Sequence, residues 1–336
     1  MRCALLAGLL LSAPALAQDI VIDVDEQKAQ QFGIDVAQVE SSMEAQASEA
    51  LNLVDPEAFM DSMAAAAGIA GKGMGVDYAS NPQKFVFGGG LGASTHSSGF
   101  AFGRGEGVMP ENGFATMLSL MGGINLGIAS GKKSFLRRTL IYVNGMALNM
   151  PSDREFGGSM YNVGAHLQIK LAKGKNAKVT EWGGLDFTTG FERSSYSLEL
   201  ERDLPLSAPV DDVELTWTAT GTYEVVSTVD SIPVELSTNL RVLVFTAYLG
   251  AGVDIQTAGS TSDAGLSGPI EAAYRGQRED IGSAALSVTY SGEADPVVPR
   301  GFVGAQANIL MFKVYGHLNA GINGAVGGHI GARVAM

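Results

Sequence analysis

Thiol chemistry is nearly absent from this chain, whose single cysteine is Cys3. That residue lies in an N-terminal stretch with the marks of an export signal: Arg2 as the positive start, Ala4 to Leu11 as the apolar core, and Ala15-Leu16-Ala17 as a small-residue cleavage site. A mature chain beginning near Gln18 then has no disulfide, no thiol nucleophile and no cysteine to ligate metal or carry a lipid. Long apolar runs are also missing. Nothing approaches the roughly 18 to 20 continuous apolar residues of a membrane-crossing helix. Basic residues are few, 22 against 35 acids for a formal charge of −13, which excludes the basic surface that nucleic-acid binding needs. The four histidines form no metal-binding motif of the H-E-x-x-H kind, so no cofactor is expected. Gly103-Arg104-Gly105-Glu106-Gly107 lacks the lysine and following helix of a phosphate loop.

What is present is glycine, 44 residues of it, and period-two alternation. In Val314 to Met336 every second residue from Val314 is apolar or glycine, while the other parity holds Tyr315, His317, Asn319, Asn323, His329 and Arg333. Successive side chains of a strand point to opposite faces, so such a segment has one apolar face and one wet face. Phe114 to Ser130, Gly158 to Ala172, Lys178 to Glu192, Val213 to Val229 and Ser283 to Ser291 repeat the scheme. Several exceed the ten or so residues that a tilted strand needs to cross a bilayer. Short connections (Gly131 to Ser134, Lys173 to Ala177) alternate with longer ones rich in Gly, Ser, Pro and acid (His96 to Gly113, Met150 to Gly157, Asp203 to Asp212, Thr257 to Gly265), as in a meander with short turns on one side of a membrane.

Two short motifs carry a resemblance. His329, Gly331, Val334 and Met336 fit the pattern polar-x-Gly-x-x-apolar-x-apolar, which resembles the terminal strand signal read by the barrel-assembly machinery, with Met where an aromatic is usual. Ile232-Pro233, a turn near Asn239 to Phe245, and Tyr248-Leu249-Gly250-Ala251-Gly252 resemble a hairpin common in bacterial outer-membrane β-barrel domains. The resemblance implies an all-β, antiparallel transmembrane barrel in the outer membrane, in contact with its lipids. Between about ten and fourteen strands are expected, with twelve favoured because an even number returns the C-terminus to the periplasmic side.

The expected organisation is a signal peptide over 1–17, a helical segment over 18–83 and a barrel over 84–336. Val36, Val39, Met43, Ala47 and Leu51 recur at helical spacing, and Asp55-Pro56-Glu57 is an N-cap, first-turn proline and acidic first turn. The segment is open to three placements: a lumen plug, a periplasmic arm, or a helix across the lower rim. Ahead of Asn81-Pro82 it is faintly similar to the hatch of outer-membrane long-chain fatty-acid transporters.

Inward parity nominates His166, Gln168, Lys170, Lys178, Asp186, Glu192, Glu214, Glu224, His317, Asn319 and Asn323 as lumen-lining residues. Histidine scattered along such faces is more simply a hydrogen-bonded wall residue than a metal ligand. His96 and Ser98 have the two-residue spacing of outer-membrane lipid hydrolases, but their parity turns them away from acyl chains. The function expected is non-enzymatic passage of small solutes. The alternatives are a structural or surface-interaction barrel with a filled lumen, and a lipid hydrolase using His96 and Ser98. Trp182, Trp217, Tyr142, Tyr161, Tyr223, Tyr248 and Tyr290 are candidates for aromatic belts.

Overall fold

The computed structural model describes residues 17–50, 56–97, 112–129, 134–150, 156–177 and 179–336. The predicted signal peptide, except Ala17, lies outside them, as does the Gly103 to Gly107 loop. The chain forms β1 (Ala17–Val24), α1 (Glu26–Gln31), α2 (Val36–Ala50) and α3 (Pro56–Ala70), then β2 (Phe85–His96), β3 (Gly113–Asn125), β4 (Thr139–Met150), β5 (Phe156–Asn176) and β6 (Thr180–Val210). It continues with β7 (Val213–Val242), β8 (Phe245–Tyr274), β9 (Gln277–Glu293), β10 (Val297–Ile309), β11 (Phe312–Gly321) and β12 (Ala325–Ala335). No helix among the described residues is long and apolar enough to cross a membrane.

All twelve strands belong to one antiparallel sheet. It closes on itself where β12 pairs with β2, from Ala335 opposite Val86 to Ala325 opposite His96. The closed ring runs β2 to β8 and then through β10, β11 and β12, ten strands in all. β9 leaves the ring because β8 is long enough for two partners on one side: residues 245–255 pair with β10 and residues 259–274 with β9. β1 then adds to the outer edge of β9. The upper parts of β6 to β8, with β9 and β1, thus form an extension that continues past the ring.

The polarity of the wall reverses between ring and extension, on the same strands and at the same parity. In the ring part of β7 the buried positions are Ser231, Glu235, Ser237 and Asn239, while Ile232, Val234, Leu236 and Leu240 are exposed. Further up, Val213, Leu215, Trp217 and Ala219 are buried, and Glu214, Thr218, Thr222 and Glu224 face out. On β8, Asp254 and Gln256 are inside with Leu249 and Ile255 outside, followed by Leu266, Ile270 and Ala272 inside with Thr261, Asp263 and Ser267 outside. A wall that is apolar outside and polar inside suits lipid, and the reverse suits water. The lipid-facing part of β8, Phe245 to Ile255, reaches roughly the 25 Å of an outer-membrane apolar band.

This reversal corrects four expectations. Glu214 and Glu224 do not line a lumen; they lie on the water-facing outside of the extension. Ala284, Leu286 and Val288 point into the extension core, and the alternating serines of β9 point outward. Trp217 is a core residue, not an interfacial one. Asp203 to Val210 and Thr257 to Gly265 are strand, with polar faces exposed to water instead of loops. Val314 to Met336 is two strands, because the turn Ile322-Asn323-Gly324, with Gly324 at φ +91°, joins arms whose odd residues both face inward. Alternation therefore passes through the turn unbroken.

The N-terminal segment divides between the two regions. Asp25 caps α1 through its side chain, accepting from the backbone N–H of Gln27 and Lys28. α1 and α2 then pack Ala29, Ile34, Val39 and Met43 against Leu215, Trp217, Leu266, Ile270 and Leu286 of the extension. α3 lies inside the ring, where Phe59, Met60, Met63, Ala67 and Ala70 meet Met117, Met160, Tyr196, Val225, Val229 and Ala258 of the surrounding strands. Glu57 and Asp61 remain exposed at its start, and from Ser62 to Ala70 its alanine-rich faces are buried all round.

Candidate functional site: the occupied lumen

Below α3 the chain runs through the ring as residues 71–83 before entering β2. Lys72, Met74, Val76, Asp77 and Tyr78 are each about 98% buried. Burial on this scale needs partners, because an unpaired charge or polar group in a dry interior costs several kcal/mol, on the order of 3–5 for a broken ion pair.

The wall supplies them. Lys72 Nζ donates to Glu192 Oε2 on β6 at 2.8 Å and to the Ser231 hydroxyl on β7, and lies 3.7 Å from Asp254 of β8. Asp77 Oδ1 forms an ion pair with Arg333 of β12 at 2.8 Å, and that guanidinium also lies 3.6 Å above the Tyr315 ring of β11. Tyr78 donates its hydroxyl to Glu235 of β7 at 2.7 Å. Asn239 Nδ2 donates to the Tyr78 carbonyl at 2.8 Å, Gln306 Nε2 to the Ser80 hydroxyl at 2.9 Å, and Lys170 Nζ to Asn81 Oδ1 at 3.0 Å. Asn125 donates to the Pro82 carbonyl. Seven strands, β3, β5, β6, β7, β8, β10 and β12, thus hold one short segment by its charges, hydroxyls and main-chain oxygens.

A second tier joins wall to wall behind it. Arg300 on β10 reaches Glu235, Asp254 Oδ2 at 2.7 Å and Asn319 Oδ1 at 2.8 Å. Asn319 in turn donates to the Lys72 carbonyl at 3.0 Å, so Asn319, Glu235 and Asp254 each belong both to the wall network and to the lumen segment's contacts. Tyr78, Tyr248, Phe302 and His317 form an aromatic layer with ring centroids 4.8 to 5.7 Å apart. The fit depends on small residues. A Cβ on Gly75 would lie 2.5 Å from Asn144 Oδ1 and 2.6 Å from His166 Nε2, and one on Gly92 would lie 2.8 Å from the Ala70 carbonyl. Between α3 and the wall, a polar cavity of about 20 Å³ is lined by Lys72, Ser119, Asn144, Asn162, Glu192 and Ser231 among others. That is room for about one water molecule.

Among the residues nominated from parity, His166, Gln168, Asp186, His317 and Asn319 are buried inside the ring, with Lys170 and Glu192 half-buried beside them. Lys170 pairs with Asp186 at 2.9 Å, and His166 Nε2 is 3.5 Å from Glu192. His317 and His329 are cross-strand neighbours with stacked rings 4.4 Å apart, while His166 stands apart from them on β5. Asn323 sits in the β11–β12 turn, where its carbonyl accepts from His96 Nε2 at 2.9 Å. Lys178 and Ser98 lie outside the described residues. Among the described residues no three His, Asp or Glu side chains gather in a way that could hold a metal ion.

Sequence reasoning missed Lys72, Asp77, Tyr78, Glu235, Asp254 and Arg300 as a set. A usable signal was present: Glu235, Asp254 and Arg300 stand on the inward parity of their strands, where an unpaired charge is untenable.

A closed antiparallel ring with an apolar outer band and a polar, packed interior is the architecture of an integral β-barrel of the bacterial outer membrane. The chain belongs to the Lsa36-like family, whose model matches residues 15–336. Among solved structures it is similar to the Acinetobacter baumannii outer membrane protein Omp33, at 10% identity and a TM-score of 0.26 over 76% of this chain and 99% of that one. It is similar to the same degree to the Ralstonia pickettii toluene transporter TbuX, with 10% identity, a TM-score of 0.26, and 80% and 98% of the two chains covered. The monoaromatic hydrocarbon channel TodX, as its deltaS2 mutant, gives 9% identity and a TM-score of 0.26 over 83% and 98%. No curated protein matches the chain.

Proposed function

We propose that this protein is a closed barrel that anchors a surface-displayed β-extension, and that its function is interaction through that extension rather than bulk passage through the ring. The observation that carries this reading is the occupied lumen: Lys72, Asp77 and Tyr78 fill it and are bonded to β6, β7 and β12. A ten-strand ring is narrow enough for side chains and one threaded segment to fill it. In barrels of this class the C-terminus lies at the periplasmic rim, which puts the opposite end, with the extension, α1 and α2, outside the cell. The final strand β12, which closes the ring, is the segment we assign to recognition by the assembly machinery.

Single-channel recording on the purified full chain in planar bilayers tests the closed state. Wild type is expected to give no resolved steps; stable open-channel steps from wild type would sink the anchor reading.

A second reading, a gated conduit, is favoured by one observation. The lumen segment is held by ion pairs and hydrogen bonds to a polar wall, so its withdrawal would leave a water-compatible passage. In the same apparatus a Lys72→Met, Asp77→Asn double variant is expected to conduct if the segment is a gate and to stay silent if the barrel is only an anchor. Which solute would pass is left to that experiment.

A further inference from the structure

Among the described residues the extension is an open sheet with two free edges, and the two are built differently. At one edge, the end of β6 beyond Leu200 has β7 on one side and no described strand on the other. Pro205 and Pro209 stand there, and each removes a donor that a foreign strand would need. At the other edge β1 pairs only with β9. It contains no proline, no lysine and no bulge, the usual means by which a sheet refuses a neighbour.

The register identifies which groups are available. Asp25 N–H donates to the Ile281 carbonyl, directly across the β1–β9 ladder, which makes the odd residues of β1 the bonded ones. The backbone N–H and C=O of Gln18, Ile20, Ile22 and Val24 therefore face the free edge. Among the described residues none of these has a hydrogen-bond partner on that side. Ile20, Ile22 and Val24 pack their side chains into the extension core. Val21 is 57% exposed, and Asp23 is exposed on the outer face.

Charge selects the occupant. A shallow polar depression of about 800 Å³ lies along the outer face of β1, β8 and β9, with Asp23, Asp25 and Asp280 in its lining. The cation there, Lys28, is turned to the Asp280 carbonyl at 2.8 Å. A second copy of this chain is a poor match. Asp19-Ile20-Val21-Ile22-Asp23 reads the same in both directions, so antiparallel pairing centred on Val21 opposes Asp19 of one copy to Asp23 of the other. Two chains of formal charge −13 repel besides.

We propose that the free edge of β1 accepts an extended segment of a partner polypeptide as an added strand, one in which basic residues alternate with apolar ones. Main-chain bonds to Ile20, Ile22 and Val24 supply the register, the apolar side chains continue the inner face, and the basic side chains meet Asp23 and the acidic depression. This site rests on the surface-interaction reading, yet binding in detergent is independent of which way the barrel faces and of whether it conducts.

The test is binding of a synthetic lysine–valine alternating octapeptide to the detergent-solubilised full chain, beside its glutamate–valine counterpart, with hydrogen exchange followed across β1. The lysine peptide is expected to bind at least tenfold more tightly than the glutamate peptide, more weakly as salt rises, and to slow exchange at Ile20, Ile22 and Val24. Ile22→Pro, which removes one edge donor without touching the ladder to β9, should weaken binding at least tenfold. Ile22→Ala, which trims the same packing but keeps the N–H, should retain it. Equal binding of the two peptides, unchanged exchange in β1, or equal loss in both Ile22 variants would overturn the proposal. So would dimerisation of the full chain that Ile22→Pro abolishes, which would assign the edge to a second copy. Open channels from wild type together with lysine-selective edge binding would overturn the anchor reading and leave the edge site standing.

Discussion

Asp77 and Arg333 meet at 2.8 Å inside the barrel, 256 positions apart in sequence, with both side chains almost wholly buried. One belongs to the segment that fills the lumen and the other to the strand that closes the ring, so occupation and closure share a bond. Asp77→Ala leaves a buried guanidinium with only the Tyr315 face and the Val76 carbonyl. The expected loss is about 3–5 kcal/mol, read as a lowered thermal transition of the detergent-solubilised barrel. Adding Arg333→Met should recover much of that loss, since removing both charges deletes the uncompensated one. A double variant as unstable as the single one would show that the pair is not coupled.

The boundary between lipid and water can be mapped by charge insertion. Leu249 is 60% exposed on the apolar band, and Thr218 is exposed at the same kind of outward position on the extension. Leu249→Lys should destabilise the liposome-reconstituted protein by about 2–4 kcal/mol, as for a charge near the bilayer midplane. Thr218→Lys should stay within roughly 0.5 kcal/mol. Equal effects in urea unfolding would mean that the polarity reversal does not mark the membrane surface.

The extension has its own core and should open on its own. Trp217 is fully buried among Leu215, Leu266, Ile270 and the α2 residues Val39 and Met43. Trp217→Ala removes about 3–5 kcal/mol of packing there. Trypsin should then cut at Arg202, Arg275 or Arg278 while the ring remains folded on unheated gels. Loss of the folded ring at the same time would make extension and ring one cooperative unit.

Alkaline pH should reach the extension through Tyr223, whose hydroxyl is pushed up to about 12, burial being the main cause. An acid whose folded value lies above the unfolded value of about 10 is favoured in its neutral form by folding. That contribution is complete below pH of about 10 and is lost as pH rises towards 12. Protease sensitivity of the extension should therefore increase across this interval, and Tyr223→Phe should flatten the increase. A Tyr223→Phe protein with an unchanged profile would assign the effect to other groups.

Much of the ring was legible because lipid outside and polarity inside impose a period of two along each strand. Leu249, Ile255, Leu318 and Ile330 report it directly, as do His166, Gln168 and Asn319 on the inner parity. The same rule misread Glu214, Glu224 and Leu286, because alternation states that a strand has two faces and not which solvent each one meets. Inward parity could mark a charge such as Glu235 but not its partner: Lys72, Asp77 and Tyr78 pair with Glu192, Arg333 and Glu235, each more than a hundred residues away.

Local periodicity and composition were enough for strands with two unlike faces, a helical segment ahead of them and no apolar run long enough for a membrane-spanning helix. Tertiary pairing was needed to show that ten strands close while β9 and β1 do not, that α3 and residues 71–83 thread the lumen while α1 and α2 pack on the extension, and that each long strand passes from lipid into water. Those outcomes depend on which distant strands find one another and on which charges must be buried together, and neither is written into any single stretch of chain.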